Sequence, residues 1–334
     1  CYINVLIYIY ITYSMIQTKQ LTTITTTTTT TVAFVFWFFQ NTNILINPLR
    51  HVVWKIFWFL YHIPICMDFT RQSLEKQHTH SIWSVVFHST LPLLITGSNT
   101  SGSKSIIIYD LTTSPPTIKD HLKYHHNSFV LCGTFHPSLP LLATGLYDKS
   151  TIIYDLTTSS PIVKHHFQHH TRPVCSIAFH PNIPLFATGS ADNSTFLYDI
   201  STSSPTIKYH FKHHHTDYVN SVSFHPSLPL FATGSADNST ILYNISTPSS
   251  PTIQHRLQHH TFYVRAVVFH PSLPLLATCS DDTSVILYTL TTSPPTIKHH
   301  LKDHTSTVCT IAFHPSLPLF ATGSCDNSTI IYDF

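Results

Sequence analysis

The sequence predicts an all-β architecture built from six similar units, and three observations carry that prediction. One stretch returns along the chain: FHPNIPLFATGSADNSTFLYD at residues 179–199, FHPSLPLFATGSADNSTILYN from Phe224, FHPSLPLLATCSDDTSVILYT from Phe269 and FHPSLPLFATGSCDNSTIIYD from Phe313, with looser copies from Phe135 and Phe87. The histidine after each phenylalanine (His88, His136, His180, His225, His270, His314) recurs at steps of 48, 44, 45, 45 and 44 residues, a period at which each unit buries its apolar face only against its neighbours. Short runs of apolar and β-branched residues alternate with turn residues, and helical spacing is nowhere sustained.

Residues 1–66 stand apart from the repeats. They open with Cys1, include an unbroken threonine run at 25–31, and are otherwise crowded with Ile, Tyr, Phe and Asn. The stretch 20–49 is free of charge, yet its most apolar part, 32–39, is far shorter than the ~20 residues that span a bilayer. Residues 1–18 lack the basic start of a signal peptide. Three readings stay open: translated upstream sequence with the true start at Met67, a membrane-associated or cleaved leader, and a disordered or partly folded extension. The expected division is therefore 1–66 as a hydrophobic, Thr-rich segment and 67–334 as the repeat domain.

Each unit reads as four short strands, for example 251–260, 264–269, 275–280 and 285–289. Between the second and third, HPSLP (225–229) carries two prolines that cannot donate to a ladder, so it is a turn. Between the third and fourth, ADNS (236–239) supplies Asp and Asn, which bond their own main chain and tolerate unusual backbone angles. The stretch LTTSPP (111–116) and its equivalents form a longer polar loop. Sequons at Asn193, Asn238 and Asn327 coincide with the ADNS-type turn, whose chemistry accounts for them.

Two offsets are fixed. A histidine precedes each unit's phenylalanine by nine residues (His78, His126, His170, His215, His260, His304), and an aspartate precedes a strand-end tyrosine by six (Asp148, Asp192, Asp237, Asp282, Asp326). With four strands in about 45 residues, the region from about residue 70 to the end resembles the WD-repeat β-propeller family. The resemblance implies a propeller of six four-stranded blades, preceded by the non-propeller segment, in which His, turn Asp, third-strand Thr and the signature aromatic form a hydrogen-bonded set. In the unit around His215 these are His215, Asp237, Thr233 and Tyr243. The signature Trp-Asp is Tyr-Asp at Tyr109, Tyr154, Tyr198 and Tyr332, Tyr-Asn at Tyr243 and Tyr-Thr at Tyr288. The family's Gly before the signature His is replaced by His125, His169, His214, His259, Asp303 or Gln77. By the same resemblance an N-terminal strand completes the last blade, so residues 70–77 are expected to pair onto 329–333; a missing seventh blade is the alternative.

Composition narrows function. A formal charge of +2 with only 10% charged residues leaves no electrostatic footprint for nucleic acid. Seven cysteines without a CxxC pair favour a reducing compartment, and a cytoplasmic or nuclear location is expected. His, Asp and Thr recur as a trio in five units, whereas a catalytic set occurs once, so no catalytic residue is assigned and no enzyme is expected. Seven glycines in the whole chain leave little material for a phosphate cradle, and no cofactor is expected. The histidine clusters 165/166/169/170 and 210/213/214/215 could chelate Zn²⁺ weakly, but each spends one member on the blade and lacks acidic or Cys partners, so no metal site is assigned.

Where near-identical units differ, a partner can be recognised. The positions after the signature His-Thr and in the Asp turn single out Phe129, Tyr147, Arg172, Asp217, Tyr218, Phe262, Tyr263 and Arg265 as partner-binding candidates, rich in the residue types that dominate interfaces. The resemblance places these loops on one face, the usual docking surface of the family. The expected function is a non-catalytic scaffold for proteins or peptides, as a monomeric subunit of a larger complex; a metal-binding or enzymatic propeller, or a membrane-tethered scaffold using 1–66, is the alternative.

Overall fold

The computed structural model describes residues 78, 82–98, 106–122, 128–158 and 160–334. Short β-branched and apolar runs separated by Pro, Asp and Asn turns give strands of five or six residues throughout. Blade 1 is β1 (Ile82–Phe87), β2 (Leu93–Ser98), β3 (Ile106–Asp110) and β4 (Thr117–His121); blade 2 is β5 (Val130–Phe135), β6 (Leu141–Leu146), β7 (Thr151–Asp155) and β8 (Ile162–Phe167). Blade 3 is β9 (Val174–Phe179), β10 (Leu185–Ser190), β11 (Thr195–Asp199) and β12 (Thr206–Phe211); blade 4 is β13 (Val219–Phe224), β14 (Leu230–Ser235), β15 (Thr240–Asn244) and β16 (Thr252–Leu257). Blade 5 is β17 (Val264–Phe269), β18 (Leu275–Ser280), β19 (Val285–Thr289) and β20 (Thr296–Leu301), and blade 6 is β21 (Val308–Phe313), β22 (Leu319–Ser324) and β23 (Thr329–Asp333). Each sheet is an antiparallel meander in chain order. The inner strands β1, β5, β9, β13, β17 and β21 lie each against the next, so the six sheets form a β-propeller.

Among the described residues blade 6 has three strands. The expected pairing of residues 70–77 onto β23, and residues 1–66 with every reading of them, lie outside the described residues. So do His125 and His126.

The core sits between blades. The forward face of blades 2 to 5 presents Leu and Ala from the second strand and Leu or Ile from the third, with Ile95 in place of the Ala in blade 1, and the next blade covers them with Val, Phe and Tyr. Leu185, Ala187 and Leu197 of blade 3 meet Val219, Phe224, Phe231 and Tyr243 of blade 4. Leu275, Ala277 and Leu287 of blade 5 meet Val308, Phe313 and Phe320 of blade 6. Fully burying one such side chain is worth about 1.5–3 kcal/mol. The approach is close enough that Gly234 has no room for a side chain: a Cβ there would sit 2.8 Å from Cγ1 of both Val264 and Val267.

Polar ties cross the same seams. The Ser176 hydroxyl accepts the Val222 N–H at 3.0 Å, and the Ser221 hydroxyl accepts the Val267 N–H at 3.1 Å, linking successive inner strands. At the turn after the second strand, Asn193, Asn238 and Asn327 adopt φ of 66°, 68° and 68°, which Asn tolerates. Asn193 and Asn238 also donate through Nδ2 to the carbonyls of Thr216 and Thr261 in the next blade. These contacts give the sequon asparagines a structural task in the turn.

Blade 6 breaks the pattern. Its forward-face Ile331 is 53% exposed, whereas the equivalent Leu287 of blade 5 is 0% exposed. Leu319 and Ala321 are half-buried where Leu275 and Ala277 are buried. Leu287→Ala should therefore lower unfolding free energy by about 3 kcal/mol, and Ile331→Ala by less than about 1 kcal/mol. Urea denaturation of the two variants measures this, and equal costs would mean that blade 6 is covered in solution.

Candidate docking face

The end of the propeller that carries the sequence differences is organised by the turn aspartate. In blade 4, Asp237 Oδ2 accepts from His215 Nδ1 at 2.8 Å and from the Thr216 N–H at 3.1 Å, while Oδ1 accepts from the Ser239 N–H at 3.0 Å and the Ser239 hydroxyl at 2.6 Å. Because a carboxylate only accepts, His215 carries its proton on Nδ1, and Nε2 accepts from the Thr233 hydroxyl at 2.7 Å. The set recurs as His170–Asp192–Thr188, His260–Asp282–Thr278 and His304–Asp326–Thr322, with His–Asp distances of 2.8–2.9 Å. In blade 2 the Asp148 carboxylate takes the Ser150 N–H and hydroxyl in the same way. Burial alone would raise the Asp192, Asp237 and Asp282 carboxyls, but their histidine, serine and main-chain donors outweigh it and hold them well below the usual carboxylate range. For Asp326 the Ser328 hydroxyl is the largest influence, in the same direction. These sets pin the loop before the inner strand to the turn after the second strand.

On that platform the candidate residues form an arc across four blades. Phe129 and Tyr147 of blade 2 meet edge to face with ring centroids 5.7 Å apart, and the Tyr147 N–H bonds the Phe129 carbonyl at 2.9 Å. Arg172 of blade 3 reaches into blade 4, where its guanidinium lies 5.9 Å from the Tyr218 ring centroid and donates to the Tyr218 hydroxyl at 3.4 Å. Asp217 is half-buried and accepts the Tyr218 N–H, a local turn contact that commits part of its carboxylate. In blade 5 the Phe262 and Tyr263 rings stack at 4.6 Å, 49% and 36% exposed, and the Arg265 guanidinium lies 5.8 Å from the Tyr263 centroid. Arg265 also grips the Asp281 carboxylate with two bonds of 2.5 Å.

No metal centre accompanies this arc: among the described residues no three His, Cys, Asp or Glu side chains are grouped to hold an ion. The histidine clusters are split by strand alternation. His165 is buried while His166 is exposed, and His210 stacks on Phe196 with centroids 4.0 Å apart.

The sequence profile of the family described as "WD domain, G-beta repeat" matches residues 70–110, 117–155, 162–199, 205–244, 251–289 and 295–333. The chain belongs to the WD40 family. No curated protein matches it at a significant level. From residue 117 on, each matched unit spans one blade's outer strand and the first three strands of the next, while residues 70–77 of the first unit lie outside the described residues.

Two departures from the WD40 signature are coupled in space. The tyrosine in place of the signature tryptophan is the shorter side chain, and the histidine in place of the glycine reaches its hydroxyl. His169, His214 and His259 place Nδ1 at 3.2, 3.2 and 3.0 Å from the hydroxyls of Tyr198, Tyr243 and Tyr288. The tyrosine hydroxyl is thus engaged by the residue before the signature histidine, which reading the four-member set alone did not foresee. All three tyrosines are buried, and burial pushes their phenols up.

A second repeated histidine has a role that the sequence reading used only to mark the period. In the HPSLP turn, Nδ1 of His88, His136, His180, His225, His270 and His314 accepts main-chain N–H groups two and three residues on, at 2.8–3.3 Å. The ring then packs on the phenylalanine of the next blade, as in His88–Phe135, His136–Phe179, His180–Phe224, His225–Phe269 and His270–Phe313, at 4.9–5.2 Å. The signal was present: a histidine fixed six times, four residues before a fixed proline.

An Nδ1 that accepts two bonds cannot be protonated without losing them. Burial holds His88, His136, His180, His225 and His270 below the ordinary value of 6.5, and His169, His210 and His214 move in the same direction for the same first cause. As pH falls through 6.5 the unfolded chain takes up protons that the folded chain refuses, so stability drops from there down to the folded values. The aspartates oppose nothing in this window, since their contribution is lost only near and below the ordinary carboxylate value of 3.8. Thermal unfolding should show a midpoint that falls by several degrees between pH 7.5 and 5.5. A flat or rising midpoint would contradict the assignment.

Proposed function

We propose that this WD40 propeller is a non-catalytic docking platform that binds a protein or peptide partner across the arc from Phe129 to Arg265. WD40 propellers are generally protein-interaction scaffolds and typically non-enzymatic. The observation that carries the reading is the stacked, exposed Phe262–Tyr263 pair with Arg265 beside it, at positions where sister blades hold Asp217–Tyr218, Arg172–Pro173 and Ser306–Thr307. Large side chains are exposed here on a frame otherwise repeated nearly residue for residue, and aromatics with Arg are the usual anchors of binding energy. The recurrence of the His–Asp–Thr set in blades 3 to 6 supports a structural role for it over catalysis.

A cytoplasmic or nuclear location accompanies this proposal, as does a place for the chain as one subunit of a larger complex. Tethering to a membrane would depend on residues 1–66. Affinity capture with the full chain, repeated with Phe262→Ala/Tyr263→Ala/Arg265→Ala, tests the reading. Loss of at least one specifically captured protein, at about tenfold or more weaker binding with the circular dichroism spectrum unchanged, is the expected result. An unaltered set of captured proteins would remove this face as the docking site.

A further inference from the structure

The inner strand of the repeat begins with a β-bulge. In blade 6 the register runs Val308↔Ser324 and then Thr310↔Gly323, leaving Cys309 as the extra residue; in blade 5 it runs Val264↔Ser280 and Ala266↔Cys279, leaving Arg265. Opposite the bulge stands the first residue of the Asp turn, Cys325 or Asp281, whose N–H bonds the carbonyl of Thr307 or Tyr263 at 2.8 or 3.0 Å. The two positions therefore face each other in blades 2 to 6, but only some of these blades fill them with side chains that react to each other. Blade 3 holds Cys175 and Ala191, and blade 4 Asn220 and Ala236. Blade 5 holds Arg265 and Asp281, which close a two-bond ion pair. Blade 6 holds Cys309 and Cys325, both exposed, with their sulfurs 3.2 Å apart.

The ion pair shows that side chains at these positions meet end to end. Two thiols at the same positions need only about 1 Å of further approach to reach the ~2.05 Å of a disulfide bond. We propose that Cys309 and Cys325 are a reversible dithiol–disulfide pair on the docking face, oxidised by a low-molecular-weight disulfide. In the first step the Cys325 thiolate attacks one sulfur of the small disulfide, breaking its S–S bond and releasing one small thiol, and leaves a mixed disulfide on Cys325. In the second step Cys309 gives its proton to solvent and attacks the Cys325 sulfur, forming the Cys309–Cys325 bond and expelling the second small thiol. Two protein thiols are oxidised and one small disulfide is reduced to two thiols.

The order follows from the surroundings. Desolvation first, and then the neighbouring Cys325, push the Cys309 thiol up, and we assign it the resolving role. Cys279 is buried, which pushes its thiol far up, and Cys132 and Cys175 are half-buried, whereas Cys309 and Cys325 are both exposed. The bridge would tie the bulge of β21 to the Asp turn of blade 6, next to the blade 5 pair, because both sulfurs act on the Arg265 guanidinium.

The test uses the full chain equilibrated in mixtures of oxidised and reduced glutathione, quenched in acid, alkylated, digested with trypsin and weighed. No Lys or Arg follows Lys302, so the peptide 303–334 contains Cys309 and Cys325 and no other cysteine. The expected product is that peptide two hydrogens lighter, carrying neither alkyl group nor glutathione, at a ratio of oxidised to reduced glutathione about tenfold or more below that which modifies Cys175. Cys309→Ser should trap glutathione on Cys325, whereas Cys325→Ser should slow modification of Cys309. Alkylation of both cysteines at every ratio, or a peptide carrying two glutathiones, would overturn the proposal.

Discussion

Everything in this molecule depends on one contact repeated from seam to seam: the forward aliphatic face of a blade, Leu/Ala/Leu in blades 3 to 5, set against the Val, Phe and Tyr of the next. A four-stranded sheet of such short strands cannot bury enough apolar surface alone, so each blade is stable only between neighbours. The polar ties serve the same contact. Ser176 and Ser221 hold inner strands in step, Asn193 and Asn238 hold turn to loop, and the HPSLP histidines cap their turns while covering the next phenylalanine. The His–Asp–Thr sets work within a blade, satisfying polar groups that would each cost about 1–3 kcal/mol if buried unpaired.

The docking face is a consequence of this economy. Since the seams and the two sets of histidines occupy the repeated positions, variation on this face falls at places the frame does not use. Those are the two residues after His-Thr, the bulge residue and the first residue of the Asp turn. Side chains there are fixed at their base by the rigid turn and free at their tips, which suits them to meet a partner or one another. Among the described residues, Arg265 with Asp281 and Cys309 with Cys325 meet one another in this way across the bulge.

Much of the fold was legible in the sequence because repetition amplifies weak signals. A lone FHPSLPL would mean little, but four copies and two close variants at nearly constant spacing define strand, turn and period together. Pairings hidden by register were not legible. Nothing in the order of residues says that His214 reaches Tyr243, or that Cys309 faces Cys325 across a bulge, because both depend on which residue the ladder skips. Neighbour context was equally out of reach. The hexapeptide LFATGS forms β10, β14 and β22 without a change of letter, yet it is buried throughout in β10 and alternately half-buried in β22, where Ile331 on the same face is exposed.

That last comparison supplies the most direct measurement. Hydrogen exchange read by mass spectrometry on peptides covering Leu230–Ser235 and Leu319–Ser324 compares the same six residues in two settings, so intrinsic exchange cancels. If stability comes from the neighbouring blade, the copy in β14 should exchange at least about tenfold more slowly than the copy in β22, a difference of about 1.4 kcal/mol. Equal protection of the two copies would contradict the account.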